Sequence, residues 1–392
     1  MKILMICKYP PIQGGVSADA YWTAQLFSEL GHEVQVITNA PEVEEEYKIQ
    51  LNEDDEKLLT GYRLPKSIIV HSSHIDKSHV FIPQNNPSIS KLVGIGLKVI
   101  EDIKPDLIWS YYVEPYGVVA LMLSKLTGIP YTIRHAGSDL GRLMLTDQLK
   151  PLYYEVFRNA ALVLTNPSHF PKFKEMGVNE KKMIQYVSVR VPADVFYLKP
   201  MPTEKNFTVG IYGKSGNAKG SLELIRAMSL LKNENFPITL KALWGGQFLS
   251  KVRQEIEVLD VADSVLVQNY IPHWKVPDFI WSCHLVLFLE NNFSISFHGP
   301  GVPIESLCCG RPVLTTEEIE KKRPDILRKG ENCIIIPSSP LNPENIAMAL
   351  KEAYAKISIG WPKTEWPDSG FIGVRTRKEI TRLLAQIQAI IP

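Results

Sequence analysis

No stretch of the 392 residues approaches the roughly 20 apolar residues of a membrane-spanning helix, so no span is expected. Charge of one sign is missing too. The formal net charge is +1 and no long basic run occurs, which argues against a broad nucleic-acid surface. Cysteine is sparse and odd in number: of the five, Cys308 and Cys309 are adjacent, and none falls at metal-ligand or disulfide spacing. The apolar run at Met1–Lys8 is too short for a signal peptide. These absences lead to the expectation of a cytoplasmic protein, with peripheral contact at the inner membrane face left open. No H-E-x-x-H, G-x-S-x-G or complete G-x-G-x-x-G is present. There is also no Asp-x-Asp pair to hold a divalent ion against a diphosphate, so a metal-free mechanism without a cofactor is expected. His71, His74 and His79 lack a carboxylate or cysteine partner at metal spacing.

What is present is α/β alternation, in a chain 45% apolar and 22% charged and long enough for two or three domains. Ile3–Cys7 reads as a buried strand, followed by a loop with backbone freedom at Gly14 and Gly15. Ser17 is placed to cap a helix carrying Ala20, Ala24, Phe27 and Leu30 on one face, and Val34–Thr38 is the second strand. Residues 41–90 are less regular. Further strands are expected at Asp106–Trp109, Tyr131–Ile133, Leu162–Thr165 and Val187–Val191. A proline-punctuated segment (Pro192, Pro200, Pro202) then reads as a hinge reaching about Asn206. A second alternating series follows, with strands at Phe207–Tyr212, Ile238–Leu243, Val265–Val267, Leu285–Leu289, Pro312–Thr315 and Ile334–Ile336. Helices are expected at Asn342–Ala355 and Thr376–Ile391. The fold class is α/β, two successive doubly wound modules, which bind ligands at the carboxyl edges of their strands.

Four clusters fall at such edges. Gly14-Gly15 is the first, and Arg134-His-Ala-Gly-Ser-Asp139 the second. The third, Gly213-Lys-Ser-Gly-Asn-Ala-Lys-Gly220, is not a P-loop, because two residues rather than four separate Gly210 from Gly213. It remains a glycine-rich turn at a helix start with two lysines, Lys214 and Lys219, a combination suited to a diphosphate. The fourth is Phe297-His-Gly-Pro-Gly-Val-Pro-Ile-Glu305, whose Pro303 and Glu305 suit a first helical turn. Plain strand-to-helix turns would account for each cluster taken alone.

Taken in order, the clusters resemble the GT-B-fold retaining glycosyltransferases of family 4 (glycosyl transferases group 1). The resemblance spans nearly the whole chain and is weakest over 41–90. It implies a GT-B architecture, two Rossmann-like doubly wound domains facing each other across a cleft. The acceptor-side domain would cover 1–200, the donor domain 206–370, and a terminal helix over 371–392 would pack back on the first. It implies a nucleotide-diphosphate sugar donor, a UDP- or GDP-sugar, and a glycan, lipid-linked or small-molecule acceptor. Lys219 matches the donor-diphosphate lysine, and Lys214 stands where these enzymes usually have arginine. Glu305 matches the glutamate that binds the ribose hydroxyls, and Gly14 and Gly15 match the loop that approaches the diphosphate. His135 matches a histidine near the donor sugar, with Asp139 closing its cluster.

Two departures stand out. The family's other glutamate, which touches the transferred sugar, should lie eight residues before Glu305, where this chain has Phe297. Its role could pass to His298 or Glu290. The usual Pro-Asn-Gly-Val-Asp turn between the domains is here Arg190-Val-Pro-Ala-Asp194. The expected mechanism is retaining transfer in which Lys214, Lys219 and the amides of Gly299, Gly301 and Val302 stabilise the departing diphosphate, while His135 orients the sugar. Two other readings stand beside it: an isomerase like the nucleotide-sugar 2-epimerases, and a non-catalytic partner subunit that keeps the fold.

Overall fold

The computed structural model describes residues 1–61, 66–76, 86–186, 188–203, 206–295, 297, 299–362 and 369–389. The chain divides into two compact units. One comprises Met1–Arg190, Ile295–His298 and Arg375–Pro392; the other comprises Val191–Ser294 and Gly299–Val374.

The N-terminal unit is built on a seven-stranded sheet: β1 (Lys2–Cys7), β2 (Glu33–Thr38), β3 (Ile69–Ser72), β4 (Leu107–Tyr111), β5 (Tyr131–Arg134), β6 (Leu162–Thr165) and β7 (Met183–Gln185). All pairings are parallel, in the order β3-β2-β1-β4-β5-β6-β7. Every residue of β1 after Lys2 is buried, as a central parallel strand covered on both faces requires. Ile3 lies between Val34 and Leu107, and Cys7 lies beside Tyr111. The strand order reverses at β1, so the crevice beyond the carboxyl ends of β1 and β4 is this unit's topological switch point.

The C-terminal unit repeats the plan with six parallel strands: β8 (Phe207–Lys214), β9 (Ile238–Gly245), β10 (Val265–Gln268), β11 (Leu285–Phe288), β12 (Val313–Thr316) and β13 (Cys333–Ile336). The order is β10-β9-β8-β11-β12-β13, which puts its switch point beyond Lys214 and Phe288. Leu224, Met228 and Leu231 of the helix Ser221–Asn233 are buried in this unit's core together with Val209, Leu240 and Leu287.

Three sequence expectations need correction. Ser17 does not cap the first helix: that helix starts at Gly15, Gly14 turns the chain with φ +128°, and Ser17 is buried within it. The last strand of the first sheet is Met183–Gln185 rather than Val187–Val191, because pairing with β6 sets Val163 opposite Met183; Val187 lies outside the described residues, as does His79. β3 was not anticipated, since a half-exposed edge strand carries no continuous apolar run. Its His71 approaches Gln35 Oε1 at 2.7 Å. Among the described residues no helix is long and apolar enough to cross a membrane.

One buried side chain ties the C-terminal unit together. Arg311, 1% exposed, donates to the carbonyls of Cys283 (2.7 Å), Lys199 (2.8 Å), Pro200 (2.7 Å), Trp281 (3.1 Å), Gly310 (3.0 Å) and Cys309 (3.2 Å). Gly310 precedes it at φ +76°, where a Cβ would come within 3.2 Å of the Lys199 carbonyl oxygen. Arg311→Met keeps much of the volume and strands these acceptors, so a stability loss of about 3 kcal/mol or more is expected. A fall in the urea midpoint of the C-terminal unit would register it; an unshifted midpoint would show that the carbonyls find other donors.

Candidate active site

In the C-terminal unit the switch point is furnished by three loops. β8 ends on Lys214, which is exposed, and the chain enters the glycine-rich turn through Gly213 at φ +123°. The turn is bonded internally: Ser215 Oγ donates to the Gly245 carbonyl at 3.0 Å, the Gly216 amide to Ser221 Oγ at 3.1 Å, and the Lys219 amide to the Gly216 carbonyl at 3.0 Å. Gly220, at φ +63°, passes the chain into the helix Ser221–Asn233. Lys214 and Lys219 therefore belong to one turn at one sheet edge.

The third loop carries Gly299 and Gly301 into the short helix Val302–Cys308, with Gly301 at its N-cap position. Nothing lies within 4 Å of where a Cβ on Gly299 would stand. Glu305 is in the first turn of that helix and is 3% exposed. Tyr212, on β8, donates its hydroxyl to Glu305 Oε2 at 2.6 Å, and His273 Nε2 lies 3.1 Å from Oε1. Both carboxylate oxygens of Glu305 are thus engaged by side chains of the same unit, which fixes the carboxylate at the sheet edge. Glu290, two residues beyond β11, has no exposed surface and forms an ion pair with Lys219.

The N-terminal unit gathers its own residues at its own carboxyl edge. The loop after β1 leads to Gly14 and Gly15, and the Arg190 guanidinium packs directly beneath Gly15. After β5, His135 Nδ1 lies 3.1 Å from the Ala136 carbonyl and Nε2 lies 2.5 Å from Thr165 Oγ1. A neutral ring donating from Nδ1 and accepting at Nε2 fits both contacts. Burial, opposed by the Ala136 hydrogen bond, pulls the His135 pKa down to about 3. His135 can thus orient or shield a ligand but brings no positive charge. Asp139 has no exposed surface; its Oδ2 accepts from the amides of Ala136 (2.7 Å) and Val113 (3.3 Å), and burial pushes its carboxyl up to about 7.

Phe297 is grouped with the N-terminal unit. Its ring stands edge-on to His169 at 5.0 Å between centroids, with Lys172 Nζ 5.0 Å from its centre. His298 lies outside the described residues. Among the described residues no group of three or more histidine, cysteine, aspartate and glutamate side chains could hold a metal ion.

Several neighbours of the site escaped sequence reasoning. Tyr212 and His273 on Glu305 come from a strand and a loop far away in sequence, and Lys322 reaches within 3.6 Å of Glu290 from a third element. Arg134, quoted only as part of the His135 cluster, forms a buried ion pair with Asp19 between the rings of Tyr111 and Tyr186. The alternation of β8 could have marked Tyr212 as sharing a face with Lys214. The other contacts have no local signal.

Residues 199–356 match the family model of the glycosyl transferases group 1. No curated protein sequence matches the chain. Among solved structures it is similar to Alr3699/HepE of Anabaena in complex with UDP and glucose, with a TM-score of 0.68, 16% identity, and coverage of 98% of this chain and 99% of that one. It is also similar to the sucrose-phosphate synthase of Thermosynechococcus elongatus, with a TM-score of 0.69, 14% identity and 99% of each chain covered. The UDP co-structure of S. aureus MnaA follows at a TM-score of 0.61 and 14% identity, covering 98% of this chain and 97% of that one. The two parallel-sheet, Rossmann-like units are those of the GT-B fold.

The two buried titratable groups give opposite pH signatures. The Asp139 pKa is raised from 3.8 to about 7, so its contribution to stability is full below about pH 4 and is lost as the pH climbs to about 7. The His135 pKa is lowered from 6.5 to about 3, so its contribution is full above about pH 6.5 and is lost as the pH falls toward 3. Asp139→Asn keeps an acceptor for the Ala136 amide and removes the first slope. The variant's urea midpoint should therefore rise more steeply with pH than the wild type's between about pH 4 and 6.5. Parallel profiles would refute the assignment.

Proposed function

We propose that the protein is a glycosyltransferase that moves a sugar from a UDP-sugar to a glycan, glycolipid or small-molecule hydroxyl, with retention and without a metal. The observation that carries this reading is the C-terminal switch point. There a glycine-rich turn with Lys214 and Lys219 stands beside a helix whose first turn carries Glu305, in the part of the chain that matches the glycosyl transferases group 1. The UDP and UDP-glucose bound by the Anabaena neighbour support uridine as the base. The work would be done in the cytoplasm or at the inner membrane face.

Breaking the bond between sugar and diphosphate builds negative charge on the leaving group. Lys214 and Lys219, aimed at that charge, stabilise it more in the transition state than in the ground state. Glu305, steadied by Tyr212 and His273, accepts from the ribose hydroxyls. The carboxyl edge of the N-terminal unit, with Gly14, Gly15, the neutral His135 and Asp139, serves the sugar and acceptor side. No enzymic nucleophile is invoked. The acceptor hydroxyl attacks the anomeric carbon from the face the diphosphate leaves, and its proton passes to a leaving-phosphate oxygen.

A 2-epimerase reading has a structural relative in the putative UDP-N-acetylglucosamine 2-epimerase of Listeria monocytogenes, at a TM-score of 0.62 and 12% identity. Such chemistry needs acid and base groups at the sugar. Here Glu290 is enclosed and Glu305 is held by Tyr212 and His273, which favours transfer. Incubation of UDP-sugars without acceptor separates the two: an epimerised sugar would support isomerisation.

Two variants test the transfer reading. Lys219→Ala should lower turnover by about 10²–10³-fold with the fold intact, the loss typical of removing one such charge-stabilising donor. Glu305→Ala should abolish the preference for UDP over 2′-deoxy-UDP, about tenfold or more in the wild type for a hydrogen bond to a charged group. A thermal-shift screen with UDP, GDP and ADP comes first. Stabilisation by none of them would remove the nucleotide-sugar reading and leave a partner subunit.

A further inference from the structure

Glu290 stands at the C-terminal switch point, two residues past β11, and has no exposed surface. A buried carboxylate is strongly disfavoured unless it is closely compensated. Among the described residues, two lysines from separate elements compensate it. Lys219, at the end of the glycine-rich turn, forms an ion pair with one oxygen, and Lys322, at the end of the helix Glu317–Lys322, places Nζ 3.6 Å from the other. Lys322 is shared with Glu318 at 2.7 Å, so of these two lysines Lys219 is the more closely engaged with Glu290. The same loop presents Phe293, whose ring centre lies 4.2 Å from Lys219 Nζ and 5.5 Å from Lys322 Nζ.

The backbone fixes this cluster in register. The Asn291 amide donates to the Ala218 carbonyl at 3.1 Å, joining the Glu290 loop to the residue before Lys219. Thr316 Oγ1 donates to the Glu290 carbonyl at 2.5 Å, and the Phe293 amide to Glu318 Oε2 at 3.4 Å. The position of the Lys219 ammonium is therefore set by Glu290 and Phe293 and not by its own flexible stem. An ammonium has three donors, so a contact to Glu290 leaves others for phosphate oxygens.

We propose that Glu290 is a positioning residue for the donor diphosphate: anchored by Lys322, it holds Lys219 where the β-phosphate binds. This rests on the nucleotide-sugar reading and assigns Glu290 a role through Lys219 in place of direct contact with the sugar. Lys322 enters the same machinery as the second cation beside Glu290, on the carboxylate oxygen that Lys219 does not engage.

The test is the ratio of UDP to UMP affinity measured by calorimetry on the full chain, since that ratio reads the grip on the β-phosphate. The wild type should favour UDP. Lys219→Ala should lower the ratio about tenfold or more, as expected for a charged hydrogen bond. Glu290→Gln should lower it severalfold with UMP affinity unchanged, and in the Lys219→Ala background the same change should have no further effect. Glu290→Asp, which keeps the charge but withdraws it, should fall between wild type and Glu290→Gln and serves if the glutamine variant does not fold. An unchanged ratio, an equal drop in both backgrounds, or a rise, as for a carboxylate that competes with phosphate for Lys219, would each overturn the proposal. A wild type that binds UDP and UMP equally would instead remove the nucleotide-sugar reading on which it rests.

Discussion

Parallel pairing on both flanks of one strand decides where chemistry can occur in the C-terminal unit. β8 is hydrogen-bonded to β9 on one side and β11 on the other, and the chain must leave these neighbours in opposite directions. The connections therefore part at the carboxyl ends and leave a crevice that no helix fills. Lys214 closes β8 there, Glu290 follows β11 there, and the helix Val302–Cys308 begins on the same edge. The N-terminal unit obeys the same rule at β1 and β4, where Cys7 and Tyr111 are paired just before the chain turns to Gly14 and Tyr112. Tyr112 takes φ +84°, a conformation that costs a non-glycine residue of order 1–3 kcal/mol and that gathers at functional edges.

Charge is treated differently at the two ends of the C-terminal sheet. Near the amino ends of β11 and β12, Arg311 is buried among backbone carbonyls, a neutral set of acceptors that fully occupies its fork and leaves nothing for a ligand. At the carboxyl edge, cations and carboxylates meet as Lys219, Lys322 and Glu290, and lysine replaces arginine as the cation. An ammonium is a compact point charge that can divide its donors between a protein carboxylate and an incoming anion. The structural cation is thus saturated and the candidate ligand-binding one is shared.

Much of this architecture was legible in the sequence because parallel strands buried on both faces read as short apolar runs. Ile3–Cys7, Leu162–Thr165 and Phe207–Tyr212 carry that mark, and glycines flag the turns that follow the first and last of them. The edge strand β3, with its exposed Ile69 and half-buried His71, does not carry it and went unseen. The site divides in the same way. Lys214, Lys219 and Glu305 announce themselves by their place in glycine-rich or proline-marked turns. Their partners Tyr212, His273 and Lys322 do not, and Glu290 is legible only as a substitute for the missing sugar contact and not as the partner of Lys219, because these residues come together from elements tens of residues apart in sequence and only the folded sheet sets them side by side.

Phe297 is the position where the resemblance and this chain part. A carboxylate there would accept hydrogen bonds from sugar hydroxyls, each worth about 1.5–3 kcal/mol when the acceptor is charged. A phenyl ring gives none of that, and this one is engaged with His169 and Lys172 in the N-terminal unit. The grip proposed for Lys214, Lys219 and Glu305 on a nucleotide does not involve it. On the proposed reading, binding the nucleotide and choosing the sugar become separate tasks. A site that rejects a wrong hydroxyl by leaving its own polar group unpaired discriminates far more strongly than one that relies on apolar fit. Sugar selectivity at Phe297 would therefore rest on shape, and the choice among sugars that differ only in the orientation of one hydroxyl would be correspondingly weak there.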